Sequence, residues 1–283
     1  MSLSILTNVS AMQTEQNLLN SSNAVATAEQ RLSSGLRINS AADDAAGYAI
    51  SEGLTSQING LGMAADNTND AVSMVQTASS SLSNVQDMLQ RVYELGVQYN
   101  NGSNSSTDKA DIQDEVNQLT QEIDRQQSSS NFNGINLLSG SAGSSGTVTF
   151  QVGANSGDTL SVTFSNIENT TLTTGFSWSN ASTGGQVFDL SSSTALTNLS
   201  SAINAISSYA AELGAVQNRL QYTSDQISAT STNLSSTNSQ ITDVNMAQEM
   251  TTLTQQQVLE QAGTAMLSQA QSQPQMILKL LQG

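Results

Sequence analysis

Apolar residues that alternate three and four apart line one seam of an α-helix, and this rhythm dominates the chain. Val75, Ala78, Leu82, Val85, Leu89 and Val92 keep it unbroken, and the first stop signal after them is Gly96. One long helix is predicted there. Asp87 and Arg91 stand four apart on it in the favourable acid-first order, a pairing worth roughly 0.2–0.5 kcal/mol. A polar turn over residues 99–106 follows, and Thr107, Asp108 and Asp111 then supply cap and first-turn acids for a second helix. Its seam is Ile112, Val116, Leu119 and Ile123, and the brief connection folds it back antiparallel on the first. Upstream, Ser40 and Asp43 have capping-box spacing, with Asp in place of Glu, ahead of a helix carrying Ile50, Leu54 and Leu61.

The middle of the chain has a different period. Val148, Phe150 and Val152 alternate with polar residues, as do Leu160, Val162 and Phe164 beyond the turn-rich segment 153–158, which predicts a β-hairpin over about 146–165. Residues 139–146 and 165–190 are rich in Gly, Ser, Thr and Asn and are expected to be surface loops. The heptad seam then returns as Leu199, Ile203, Ile206, Ala210, Leu213 and Val216 and continues as Leu220, Ile227, Leu234 and Ile241. A helix of about 50 residues rising about 1.5 Å each spans roughly 75 Å, so a mainly α, rod-like architecture is expected. Its later part has Ser224, Ser231 and Asn238 at the alternate core positions, a seam that packs weakly alone and suits a bundle, or a polymer in which neighbouring copies supply the missing apolar surface.

Both ends of the chain are amphipathic. Ile5, Val9, Met12 and Leu19 share one face, with Leu32 beyond them; Leu259, Ala262, Met266 and Ala270 share another, with Ile277 and Leu281 beyond. The remaining faces are polar, so a single terminal helix gains little by folding alone. For residues 70–125 and 190–240 the stripes are expected to form an intrachain core. For residues 1–38 and 244–283 intermolecular packing is expected, with the ends unprotected against amide exchange in the monomer.

Composition then removes whole classes of chemistry. There is no Cys, no His, one Pro and one Trp. No imidazole base, no thiolate and no His or Cys ligand for zinc, copper or iron is available, and no cofactor is expected. Adjacent carboxylates such as Asp43 with Asp44, or Asp114 with Glu115, diverge on a helix, so an enzyme is not expected. Seven Lys and Arg against 23 Asp and Glu give a formal net charge of −16, which opposes attraction to nucleic acid. Residues 1–30 show neither the basic nor the apolar part of a cleavable signal peptide, and no run of about 18 apolar residues predicts a membrane span.

The block from Arg31 to Gly47, Arg-Leu-Ser-Ser-Gly-Leu-Arg-Ile-Asn-Ser-Ala-Ala-Asp-Asp-Ala-Ala-Gly, resembles bacterial flagellin. The similarity recurs over Leu89–Leu95, at Glu122-Ile123-Asp124-Arg125, at Phe132-Asn133-Gly134, over Gln257–Leu267 and from Pro274 to Leu281. It implies a minimal flagellin without large outer domains, in which residues 1–43 and 241–283 form a terminal coiled coil for polymerisation and residues 44–240 an outer helical rod. It implies an extracellular filament subunit used for motility and exported unfolded without a cleavable signal peptide. The implied partners are further flagellin copies, an export chaperone and a cap protein. The resemblance also implies contact with a Toll-like innate immune receptor through Gln90, Arg91, Leu95 and Glu115, with the Arg91 guanidinium beside an exposed Leu95 as the anchor. Tyr93 stands where the receptor-active pattern usually has Arg, and Gly96, where it has Ala, is expected to fray the helix end. Within its own helix Arg91 is expected to pair with Asp87 and Glu94. A hook-filament junction protein, which polymerises as a short ring, is the alternative; a surface adhesin would need a pocket that the outer loop does not suggest.

Overall fold

The computed structural model describes residues 7–167, 179–181 and 185–282. Among these, five α-helices and three two-stranded antiparallel sheets follow in order. They are α1 (Val9–Ser34), α2 (Ala45–Tyr99), α3 (Ser106–Ser129), β1 (Asn131–Phe132), β2 (Ile135–Asn136), β3 (Thr147–Gln151), β4 (Thr159–Thr163), β5 (Ser179–Ala181), β6 (Gly185–Val187), α4 (Ala195–Thr242) and α5 (Met246–Gln282). The chain divides into two compact units, residues 57–232 and residues 1–56 with 233–283. No helix among the described residues is long and apolar enough to cross a membrane.

In the unit of residues 57–232, Val75, Ala78, Leu82, Val85, Leu89 and Val92 are all buried, so the heptad rhythm is the inner face of α2. Ile112, Val116 and Ile123 of α3 and Leu199, Ile206, Leu213 and Leu220 of α4 close the same core. Each such side chain contributes roughly 1.5–3 kcal/mol by leaving water. Arg91 meets Glu115 of α3, whereas Ser81, earlier on α2, accepts a hydrogen bond from the Ser130 hydroxyl just past α3 at 2.9 Å. That order makes α3 antiparallel to α2.

Two details of these helices differ from expectation. The N-cap of α3 is Ser105 rather than Thr107: its hydroxyl accepts from the Asp108 amide while the Asp108 carboxylate accepts from the Ser105 amide. Ser and Asp at this spacing satisfy two free donors at once, and those hydrogen bonds hold the Asp108 carboxyl below its ordinary range. Gly96 does not fray α2, which runs on to Tyr99. A Cβ at Gly96 would lie 2.8 Å from one Leu196 methyl and 3.2 Å from one of Leu190, so the missing side chain is the space into which those leucines pack.

The hairpin β3–β4 pairs Val148 with Val162 and Phe150 with Leu160, and Leu160, Val162 and Phe164 are buried against the helical core. Ahead of it, β1 and β2 form a hairpin absent from the sequence reading. Its two-residue loop is Asn133-Gly134, with φ of 49° and 80°, the left-handed pair that a primed turn requires. The stretch expected as a surface loop over 165–190 is anchored instead. Ile167, Phe188 and Leu190 are buried, β5 pairs with β6, and residues 168–178 and 182–184 lie outside the described residues. Gln113 of α3 holds the return: its Nε2 donates to the Phe188 carbonyl at 2.6 Å and its Oε1 accepts from the Leu190 amide at 3.0 Å.

Tyr209 of α4 is buried in this core, and its hydroxyl accepts from the Ser165 amide at 3.0 Å. Burial pushes the phenol up to about 12, against the lowering effect of the Ser165 hydrogen bond. A phenol with a folded pKa above its unfolded value of about 10 stabilises the fold fully below pH 10 and ceases to do so as pH rises towards 12. The loss at this one site is on the order of 2–3 kcal/mol. Alkaline unfolding should therefore coincide with a late, cooperative absorbance step from one tyrosine, and Tyr209→Phe should remove that step.

Candidate assembly surface

In the unit of residues 1–56 and 233–283, α1 opens on Asn8, whose side-chain oxygen accepts from the Ala11 amide at 3.1 Å. It closes on Gly35 in the left-handed conformation, with φ of 73°, a C-terminal role for which glycine is the default. The segment after it is stitched to the α4–α5 connection. Arg37 donates from its backbone to the Thr242 carbonyl at 2.6 Å, and Val244 donates to the Gly35 carbonyl at 3.0 Å. The Arg37 guanidinium adds a bond to the Ile241 carbonyl at 2.6 Å.

Ser40 and Asp43 are not the cap of the next helix. The Asp43 carboxylate accepts from the Ser40 hydroxyl and from the amides of Ser40 and Asn39, which holds its carboxyl below the usual range and closes a turn before α2. Asp44 caps the helix, accepting from the amides of Ala46 and Gly47. Ile50 of that helix is exposed, and its neighbour Ser51 is buried.

Helices α1 and α5 lie side by side and antiparallel, as three contacts show. Asn8 bonds to Ala270, Leu18 would meet a Cβ on Gly263 at 3.3 Å, and Arg31 pairs with Glu249 at 3.7 Å. The half-buried or buried positions of α1 include Ala11, Thr14, Leu18, Ser21, Val25, Ala28 and Leu32, a three-four rhythm built largely of small residues, with Ala24 and Arg31 beside it. On α5 they include Leu253, Gln256, Glu260, Gly263, Leu267 and Ala270. Small side chains let two helix backbones approach closely, and at Gly263 the Leu18 side chain packs against the position a Cβ would occupy. The helices therefore meet through a seam that the apolar stripes do not mark.

Those stripes face water. Val9 is 65% exposed, Met12 61%, Leu19 54%, Leu259 47% and Met266 61%, and Ala262 is exposed as well. Leu32 and Ala270 belong instead to the inward seam, where they are half-buried. Ile5 lies outside the described residues; Ile277 and Leu281 lie on α5, but their side chains are outside the description. Met250 and Val258 extend the exposed set on α5. Heptad spacing identified these residues as a stripe, but spacing alone does not say which of two adjacent seams a partner helix in the same chain will cover.

The residues expected at the receptor are divided by the core. Gln90, Arg91 and Glu115 are exposed, but Leu95 is buried, 2% exposed. Leu95 falls on the heptad that carries Leu89 and Val92, so it is a core residue and not a surface anchor. Arg91 does not turn to Asp87. It donates to Glu115 across to α3, at 3.1 and 2.9 Å, and to Glu94 at 3.2 Å; these carboxylates, Glu115 first, raise its pKa.

The family model of the bacterial flagellin N-terminal helical region matches residues 5–143, and that of the C-terminal helical region matches residues 196–281. The flagellin of Halalkalibacterium halodurans is 38% identical over 97% of this chain and 98% of its own length. The flagellar filament 33 kDa core protein of Treponema phagedenis is 41% identical over the same shares. Against a Shigella flexneri flagellin the identity is 42%, but the match spans 68% of this chain and only 34% of that longer protein. Both helical ends are thus present with little between them, and the chain belongs to the bacterial flagellins, as a minimal member.

Proposed function

We propose that this chain is the structural subunit of an extracellular bacterial flagellar filament, polymerising with copies of itself through the outward apolar stripes of α1 and α5. The observation that carries the reading is the choice of seams. The chain encloses the small-residue seam by itself and leaves Val9, Met12, Leu19, Leu259 and Met266 in water. An exposed apolar stripe of this length marks a protein partner. Covering the exposed part of seven such side chains, Met250 and Val258 included, supplies on the order of 5–10 kcal/mol per subunit before the entropy of association is subtracted. Monomer added to sheared filament seeds should elongate them without limit; growth that stops after a single ring would support the junction-protein reading instead.

Family membership supports the remaining partners. The chain is exported unfolded with an export chaperone, and it adds to the filament beneath a cap protein. No catalytic role is assigned to it. The Toll-like receptor contact is carried by Gln90, Arg91 and Glu115, an exposed cluster in which Arg91 is already held between two carboxylates. Arg91→Ala should lower the signal of a receptor reporter cell at least tenfold while leaving the helical melt nearly unchanged, because the ion pairs it loses are solvent-exposed. An unchanged signal would remove the proposal.

A further inference from the structure

In a regular helix each carbonyl accepts from the amide four residues on. Residue 274 is proline and has no amide hydrogen, so the Ala270 carbonyl, inside α5, lacks its helical donor. Asn8 stands at that carbonyl. Its Nδ2 donates to the Ala270 oxygen at 2.8 Å, while its Oδ1 accepts from the Ala11 amide at 3.1 Å. One carboxamide therefore answers two helix defects at once, the free amide at the start of α1 and the orphaned carbonyl of α5. Its orientation is forced, because the flipped amide would set oxygen against carbonyl and NH2 against N–H.

The seam between these helices is poor at choosing its own register. Thr14 and Ser21 on one side and Gln256 and Glu260 on the other interrupt it, so a slip by one heptad would sacrifice little apolar contact. Polar contacts at defined positions are what fix register in such a pair. Here they stand at the two ends of the pair, Arg31 with Glu249 at one and Asn8 with Ala270 at the other.

We propose that Asn8 and Pro274 form a clasp that sets the register of α1 against α5, and so aligns Val9, Met12 and Leu19 with Val258, Leu259 and Met266 into one assembly surface. The clasp rests on the polymerisation reading for its purpose but not for its existence. Asp at position 8 keeps the oxygen that caps α1, and Asp is as good a cap as Asn, but it has no hydrogen to give to Ala270 and brings a charge to an unmet carbonyl. Pro274→Ala restores the amide that Ala270 lacks and makes the clasp redundant.

The test is the full-length chain in four forms: native, Asn8→Asp, Pro274→Ala and the double variant. In seeded growth, Asn8→Asp should raise the critical concentration roughly three- to tenfold beside Pro274 and less than twofold beside Ala. The same pattern should appear in unpolymerised chain, where the amides from Ala11 to Leu18 exchange roughly three- to tenfold faster in Asn8→Asp only when Pro274 is present. An equal effect of Asn8→Asp in both backgrounds overturns the clasp, because the residue would then act only as a local cap. Native chain that fails to elongate seeds defeats the polymerisation reading, and the exchange experiment still judges the clasp. Native α1 amides exchanging at random-coil rates before assembly, together with unchanged critical concentrations, overturn it as well.

Discussion

Chain carrying Leu259→Glu and Met266→Glu together is expected to fold normally and to fail to elongate filament seeds, with the critical concentration raised more than about a hundredfold. Both side chains are exposed in the single chain, and Glu is nearly as good a helix former as Leu or Met, so the monomer should lose no more than about 0.5 kcal/mol. In the polymer the balance reverses. Two apolar side chains no longer leave water, at about 1–2 kcal/mol each, and two carboxylates must be desolvated against an apolar neighbour, at several kcal/mol each. A chain of formal charge −16 has few cations to answer them. The comparison needs seeded growth followed by light scattering and the helical circular-dichroism melt of unpolymerised chain. Normal elongation by the double variant would remove the outward stripe from the assembly surface.

Phe164→Ala should destabilise the unit of residues 57–232 by about 3–5 kcal/mol. Phe164 is fully buried, and its amide donates to the Gly146 carbonyl at 2.7 Å, so the backbone that carries the ring cannot move inward to fill the space. With roughly 2–4 °C per kcal/mol for a unit of this size, the melting temperature should fall by about 6–20 °C. Tyr222→Ala on α4 is the control. That ring is 76% exposed, and its loss should shift the melt by no more than the effect of a neutral surface change, about 0.5 kcal/mol. Equal shifts for the two variants would mean that the hairpin is not part of the core.

The contrast between these two substitutions follows what could be read from the chain before folding. The stripe from Val75 to Val92 could be placed in the core directly, because six apolar residues in unbroken heptad rhythm leave a helix only one way to hide them. Val148 to Val152 and Leu160 to Phe164 were equally plain, since period two admits no helix. The β1–β2 hairpin was missed although Asn133-Gly134 carries its turn signal; strands of two residues offer no alternation to accompany it. Burial of Phe188 and Leu190 was missed for another reason. Isolated apolar residues in a polar stretch show no period, and only the carboxamide of Gln113 and the leucine-sized gap beside Gly96 give them a place.

Periodicity by itself determined the helices, the large hairpin, the antiparallel return of α3, and the fact that both ends carry an apolar stripe; composition by itself left no thiol or imidazole chemistry. The tertiary structure alone decided which way the stripes face. A heptad seam states that a helix has an apolar side, whereas the partner it takes depends on how closely two backbones can come. Ala11, Ala28 and Gly263 let α1 and α5 approach through the neighbouring seam, turning Met12 and Met266 outward. Leu95 shows the same limit from the opposite side. One turn from Arg91 and Gln90 it looked like their surface neighbour, and the 3.6-residue period turns it into the core.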